Sequence, residues 1–215
     1  MNSSLVKNIY DNYASIYDLV FSVVLNPARK KAIRQMNIQP NEKIIEFGVG
    51  TGLSFNHYNF SNKISITGID LSEKMLEKAR SKVAKYKNFD ITLSCIDAED
   101  TPYDDSTYDK VMLMYVYSVT PNPEKLLSEA FRICKENGSV HIVNHFSNYE
   151  NSRLNLFERS LSKMSKVIGF RTVFSYQDYI KNLNLNIESV ESANIFSSTK
   201  VIHLKKKDNG HLYDK

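Results

Sequence analysis

Apolar and polar positions alternate in two rhythms along this chain, and the changes between them mark its elements. After Lys43, short apolar runs of strand length are separated by longer stretches with helical spacing, a pattern that predicts a parallel sheet covered by helices. Residues 43–47 and 65–70 read as the first two strands. Ser72 is placed to cap a helix whose stripe runs Met75, Leu76, Ala79 and Val83. Residues 91–96 predict a third strand. The continuous apolar run within 108–115 predicts a central strand buried on both faces. Pro121 and Pro123 precede a predicted helix through Lys135, with Glu136, Asn137 and Gly138 as its stop signal. Residues 139–146 form the expected fifth strand. A helical insertion over 148–172 and a short helix near 176–184 follow. Strands near 186–192 and 199–206 then close the sheet as an antiparallel edge hairpin. The expected division is a helical N-terminal segment over 1–40, a main domain over 41–207 and a loose tail over 208–215.

Size and composition agree with one soluble-type domain: 215 residues, 42% hydrophobic and 24% charged, with a net charge of +4. That charge is too mild to predict nucleic-acid binding. Cys95 and Cys134 have no metal-ligand spacing and read as buried, reduced thiols; the five histidines show no paired spacing, so no metal site is expected. The N-terminus lacks a basic-then-apolar signal pattern, and no apolar run nears the ~20 residues that span a bilayer. A cytoplasmic location is expected, with no nucleic-acid partner and no obligate protein partner.

The most informative stretch is Ile-Ile-Glu-Phe-Gly-Val-Gly-Thr-Gly-Leu at 44–53. A carboxylate, Glu46, ends the first strand and introduces Gly48, Gly50 and Gly52, where positive φ and close ligand approach are available. A second acid, Asp70, closes the next strand. A glycine-rich turn followed by a ribose-binding acid is the logic of a nucleoside site on an open α/β sheet. The spacing Glu-x-Gly-x-Gly-x-Gly differs from the dinucleotide fingerprint. It favours S-adenosylmethionine, which has no pyrophosphate to seat at a helix N-terminus.

This pattern resembles motif I of the class I S-adenosylmethionine-dependent methyltransferases. The resemblance implies a Rossmann-like class I fold: a mostly parallel seven-stranded sheet with helices on both faces. It further implies that the glycine loop packs on the cofactor's amino-acid part, that Glu46 lies near its ammonium group, and that Asp70 takes the ribose hydroxyls. Asp97 would accept from the adenine amino group while the backbone of Ala98 contacts the ring. Leu71 and Met75 pack on the adenine face or belong simply to the core. Tyr115 or Tyr117, at the end of the fourth strand, would line the path to the sulfonium methyl, with simple packing as the alternative.

On the substrate side, Tyr10, Tyr13 and Tyr17 recur at i, i+3 and i+7, one face of a helix. They read either as a face packed on the core or as an aromatic lid over a cationic centre, sulfonium or ammonium. Tyr-x-x-Tyr-Ala-x-x-Tyr-Asp-Leu-Val-Phe, the glycine loop, and Ile-Val-Asn-His at 142–145 together resemble the soluble bacterial phosphatidylethanolamine N-methyltransferases. That likeness implies stepwise methylation of the ethanolamine headgroup towards phosphatidylcholine. Members of that family often carry Trp where this chain has Tyr13, which preserves stacking but alters headgroup fit. Amine methylation needs a neutral nitrogen lone pair, hence a base. Asn144 and His145 end the fifth strand, where the substrate would sit. His145 is the candidate base or phosphate-binding cation, with a backbone-bonded structural histidine as the alternative; the hydroxyls of Tyr10 or Tyr17 would orient the amine.

A phospholipid substrate also requires a membrane surface. Leu154, Phe157, Leu161, Met164 and Ile168 form a helical apolar stripe, accompanied by Arg153, Arg159, Lys163 and Lys166. Such a basic amphipathic helix lies on anionic bilayers or covers the substrate pocket. Arg29, Lys30, Lys31 and Arg34 suggest a second basic patch, whereas Lys205–Lys207 read as a solvated strand end. The expected partners are therefore a phospholipid and, peripherally, the inner face of an anionic membrane. Other acceptors stay open, a quinone precursor or a small soluble amine, as does a non-catalytic membrane-binding protein that keeps the cofactor pocket.

Overall fold

The computed structural model describes residues 25–86, 89–146, 176–177, 180, 185–193 and 199–206. Seven strands form one sheet: β1 (Lys43–Phe47), β2 (Ser65–Asp70), β3 (Asp90–Cys95), β4 (Tyr108–Met114), β5 (Cys134–His145), β6 (Ile187–Ser192) and β7 (Thr199–Lys205). Their order is β3-β2-β1-β4-β5-β7-β6. The first five are mutually parallel, and β7 runs antiparallel between β5 and β6. This is the mostly parallel seven-stranded α/β sheet that the sequence predicts, with the expected antiparallel C-terminal edge. The order reverses between β1 and β4. At such a reversal the loops leaving the strand ends diverge and open a crevice.

The helices α1 (25–35), α2 (Glu73–Val83) and α3 (Pro123–Ile133) cover the sheet. Period-two alternation sends Ile44, Ile66, Met112, Met114 and Val143 to the face where Ala28, Ala32 and Ile33 of α1, Met36 just after it and Leu76 of α2 pack. Ile45, Phe47, Val111, Leu113, Val140 and Ile142 face α3 through Leu126, Leu127, Ala130 and Ile133. Each fully buried Leu or Ile contributes about 1.5–3 kcal/mol. Double-sided burial therefore explains why β4 reads as one apolar run. Ser72 caps α2 by accepting from Met75 N, as its sequence position predicts. Asn122 does the same for α3 through Lys125 N at 3.0 Å.

Four expectations need correction. Helix α3 ends at Ile133, not Lys135, because Cys134 is already extended (φ −73°, ψ 135°) and opens β5. Glu136, Asn137 and Gly138 are no helix stop; they occupy the register irregularity that sets Tyr108 against Cys134 and Lys110 against Ser139. Glu136 and Asn137 are exposed there. Gly138 is pressed so closely on β4 that a Cβ would come within 2.7 Å of the Asp109 carbonyl oxygen. Second, Cys95 is exposed at the end of β3 while Cys134 is buried. Third, Arg29 and Lys31 do not contribute to a basic surface patch. Arg29 is 4% exposed, and Lys31 pairs with Glu191 at 2.9 Å and donates to the Ser192 carbonyl at 2.7 Å, fastening α1 to β6. Lys30 and Arg34 alone of that group are exposed. Fourth, at the strand end Lys205 is exposed as expected and pairs with Glu188 at 3.5 Å, but Lys206 is half-buried and donates to the Cys134 carbonyl at 2.7 Å; Lys207 lies outside the described residues. No helix among the described residues is long and apolar enough to cross a membrane. The expected insertion over 148–172, most of the helix near 176–184 and the tail from 208 lie outside the described residues, as does the amphipathic stripe from Leu154 to Ile168.

Candidate active site

The crevice at the order reversal is an open-mouthed hollow with a cavity volume of about 80 Å³. Gly48, Gly50, Asp70, Leu71, Met75, Asp97, Ala98 and Tyr115 all line it. These come from the ends of β1, β2, β3 and β4 and the first turn of α2; the sequence assigns each a cofactor-side role, with packing as the alternative for Leu71, Met75 and Tyr115. The glycine loop turns sharply: Gly48 has φ +69° and Gly50 has φ +56°. A Cβ on Gly48 would strike Val116 at 2.9 Å, whereas one on Gly50 would meet nothing closer than 4.0 Å. The loop is thus left-handed where a side chain would be strained and open where a ligand would rest on the backbone. Gly52 stands apart from the lining, packed against Phe55 and Ala79.

Asp70 ties the loop to β2. Its Oδ2 accepts from Gly50 N at 2.8 Å and its Oδ1 accepts from Ser72 N at 2.9 Å. Asp70 lines the hollow, where a carboxylate can accept from a ribose hydroxyl. Across the hollow, Asp97 Oδ1 accepts from Glu99 N at 2.9 Å and holds the loop after β3 in a tight turn. The apolar side chains of Ile96, Ala98, Met114, Val116, Val119 and Leu126 line the hollow between these polar ends. An open glycine backbone, a part-buried ribose-height carboxylate and an apolar slot beyond it fit an adenosyl group bearing an amino-acid tail.

Glu46 lies beneath the loop, fully buried. Tyr58 Oη donates to its Oε2 at 3.2 Å. Burial raises its pKa from 4.5 to about 7, partly offset by the hydroxyls of Ser54 and Tyr58 and by the charge of Arg29. Arg29 itself rests over the Tyr115 ring, 5.8 Å from its centroid. Tyr115 is a non-glycine residue in the left-handed region, with φ 61°; its amide donates to the Val143 carbonyl at 2.7 Å.

The structure separates the remaining candidates. Tyr117 does not line the crevice but is fully buried in the core with Phe47, Leu127 and Phe146, so the expectation of a substrate-facing ring is not met. Asn144 is buried. Ser118 Oγ donates to its Oδ1 at 3.2 Å, and its own Nδ2 donates to the His145 carbonyl at 2.9 Å. His145 ends β5, and burial lowers its pKa, so its imidazole is neutral at neutral pH. Neither Asn144 nor His145 is part of the hollow's lining. Tyr10, Tyr13 and Tyr17 lie outside the described residues. The sequence reading missed Ser72, Thr120 and Pro121, which also line the crevice. The signal for the last two was the segment after β4, where strand C-termini face ligand.

Comparisons with known proteins agree with this geometry. Residues 45–142 match the family described as a methyltransferase domain. The phosphatidylethanolamine N-methyltransferase of Cereibacter sphaeroides is 34% identical over 178 residues, 82% of this chain and 85% of that enzyme. The demethylmenaquinone methyltransferase of Shouchella clausii is 31% identical over 65% of this chain and 63% of its own length. Among solved structures, a chain of the complex between the Haloferax volcanii Trm112 methyltransferase activator and a methyltransferase superposes with a TM-score of 0.74. It shares 18% identity and covers 93% of this chain and 98% of that one. A geranyl diphosphate C-methyltransferase from Streptomyces coelicolor, in complex with S-adenosyl-L-homocysteine, gives 0.68 at 14% identity over 85% and 81%. Fold and site together define a nucleoside-binding transferase of the Rossmann-like type. The chain belongs to the class I S-adenosylmethionine-dependent methyltransferases, and S-adenosylmethionine is its cofactor.

Proposed function

We propose that this enzyme methylates the headgroup amine of phosphatidylethanolamine, stepwise towards phosphatidylcholine, at a membrane surface. The observation that carries this reading is the 34% identity to a phosphatidylethanolamine N-methyltransferase over 82% of the chain, a span well beyond the 45–142 domain match. The bound cofactor supplies a methyl group activated on a sulfonium sulfur. The residues here hold and orient it. Gly48 and Gly50 present backbone to its amino-acid end, Asp70 receives the ribose, and Asp97 with Ala98 receives the base. Fixing both reactants along one axis supplies much of the rate of an in-line displacement.

An ethanolamine headgroup arrives as ammonium and must lose a proton before it can attack. His145, held neutral by burial at the end of β5, is suited to take that proton at neutral pH. In this reading Asn144 fixes the strand end, and Tyr10, Tyr13 and Tyr17 present aromatic faces and hydroxyls to the cation. The amphipathic stripe from Leu154 to Ile168, with its arginines and lysines, brings the site to an anionic bilayer.

The likeness to demethylmenaquinone methyltransferase favours a second acceptor, an isoprenoid quinol ring. Incubation with methyl-labelled cofactor and vesicles holding either phosphatidylethanolamine or demethylmenaquinol, followed by chromatography, separates the two. Label in mono-, di- and trimethylated phospholipid is expected. Label confined to the quinol fraction would transfer the assignment to that acceptor.

A further inference from the structure

Two loops form the nucleoside end of the crevice, and one side chain joins them. The loop after β3 carries Asp97 and Ala98, and the segment after β4 carries Val119, Thr120 and Pro121 on the facing wall. Glu99 reaches from the first to the second. Its Oε1 accepts from the Thr120 hydroxyl and from Asn122 N at 2.7 Å. A carboxylate accepting two bonds on one oxygen holds its partners more tightly than a neutral acceptor would. Both ends of this bridge are rigid. Asp97 Oδ1 fixes the Glu99 amide at 2.9 Å, and Asn122 caps α3 through Lys125 N at 3.0 Å. On the inner side, the amides of Val119 and Thr120 donate to the Val116 carbonyl at 3.0 and 3.1 Å, closing the segment into a compact turn. The Ala98 wall and the Thr120–Pro121 wall therefore cannot part without breaking the bonds to Glu99.

We propose that Glu99 is a positioning residue that sets the width of the adenine slot, and so the cofactor's affinity and its tolerance of a substituted base. It acts through Thr120 and Pro121 rather than by touching the cofactor. The inference rests on the reading that Asp97 and Ala98 receive the base. Losing the bridge lets the slot widen, which weakens the grip on an unmodified purine and admits a bulkier one. The amino-acid end, held by Gly48 and Gly50, and the ribose, held by Asp70, are undisturbed, so a bound cofactor still reacts at its normal rate.

The test uses calorimetric titration of Glu99→Ala, Glu99→Gln and Thr120→Val with S-adenosylhomocysteine and with its N6-benzyl analogue, together with kcat at saturating cofactor and thermal melts. Glu99→Ala and Thr120→Val are expected to lose about 10-fold in affinity for S-adenosylhomocysteine while discriminating at least 5-fold less against the N6-benzyl analogue. The kcat of Glu99→Ala at saturating cofactor should stay within 2-fold of wild type. Glu99→Gln keeps an acceptor oxygen and should lie between. Unchanged discrimination, or kcat falling in parallel with affinity and melting temperature, would show an ordinary structural bridge and overturn the proposal. Absence of any S-adenosylhomocysteine binding by the wild-type protein would instead strike at the cofactor reading itself.

Discussion

Glu46 gives the sharpest test of the electrostatics of this site. Its folded-state pKa of about 7 stands above the ordinary 4.5 because burial penalises the charged form. Between those two values the unfolded chain has released this proton and the folded chain has kept it. Stability from this group is therefore fully present below pH 4.5 and is lost as pH rises through about 7. At about 1.4 kcal/mol per pH unit, the interval from 4.5 to about 7 corresponds to about 3 kcal/mol of destabilisation once the carboxyl ionises. Glu46→Gln removes the titration and keeps an acceptor for Tyr58 Oη. Urea unfolding of the cofactor-free protein at several pH values should show the variant matching wild type near pH 4.5 and exceeding it by up to about 3 kcal/mol at pH 8.5. At pH 8.5, where the wild-type carboxyl is ionised, the variant should also bind S-adenosylmethionine less well, since a neutral amide offers the cofactor's ammonium no charge. A stability difference that does not change with pH would refute the assignment of a buried, proton-retaining carboxyl beneath the glycine loop.

Asp70→Ala should weaken cofactor binding by 10-fold or more, because it removes a charged acceptor, worth about 1.5–3 kcal/mol, and releases Gly50 N; calorimetry reads this directly. His145→Gln should lower kcat by 10²-fold or more and remove an acid limb from the pH–rate profile, because protonating this low-pKa imidazole disables the base; a retained limb would place the base elsewhere. Charge reversal at Arg159, Lys163 and Lys166 should reduce sedimentation with anionic vesicles and leave cofactor affinity unchanged, and normal sedimentation would dismiss the surface helix.

What the sequence made legible was local chemistry with its own signature. The glycine loop, Asp70 and the Ser72 cap each depend on residues within a few positions, so spacing alone locates them. The strands follow from alternation, and their ends lie within a residue or so of the expected ones everywhere except β5. There the helix passes directly into extended chain at Cys134, and Gly138 answers a tertiary demand, close approach to Asp109, that no local pattern encodes. Tyr117 misleads for a related reason. Residues two apart share a face only while a strand lasts, and the left-handed backbone of Tyr115 ends the alternation and turns Tyr117 inward. Arg29 and Lys31 look like surface charge in a basic run. Only the packing of α1 on the sheet reveals that one is buried beside Tyr115 and the other holds β6.

The backbone of Tyr115 has a consequence for engineering. A β-carbon in the left-handed region costs roughly 1–2 kcal/mol, which glycine at the same place would not incur. A search for thermostable variants would therefore favour replacing this tyrosine and would, in the same step, strip an aromatic wall from the crevice. At this position thermal stability and the shape of the crevice are set against each other.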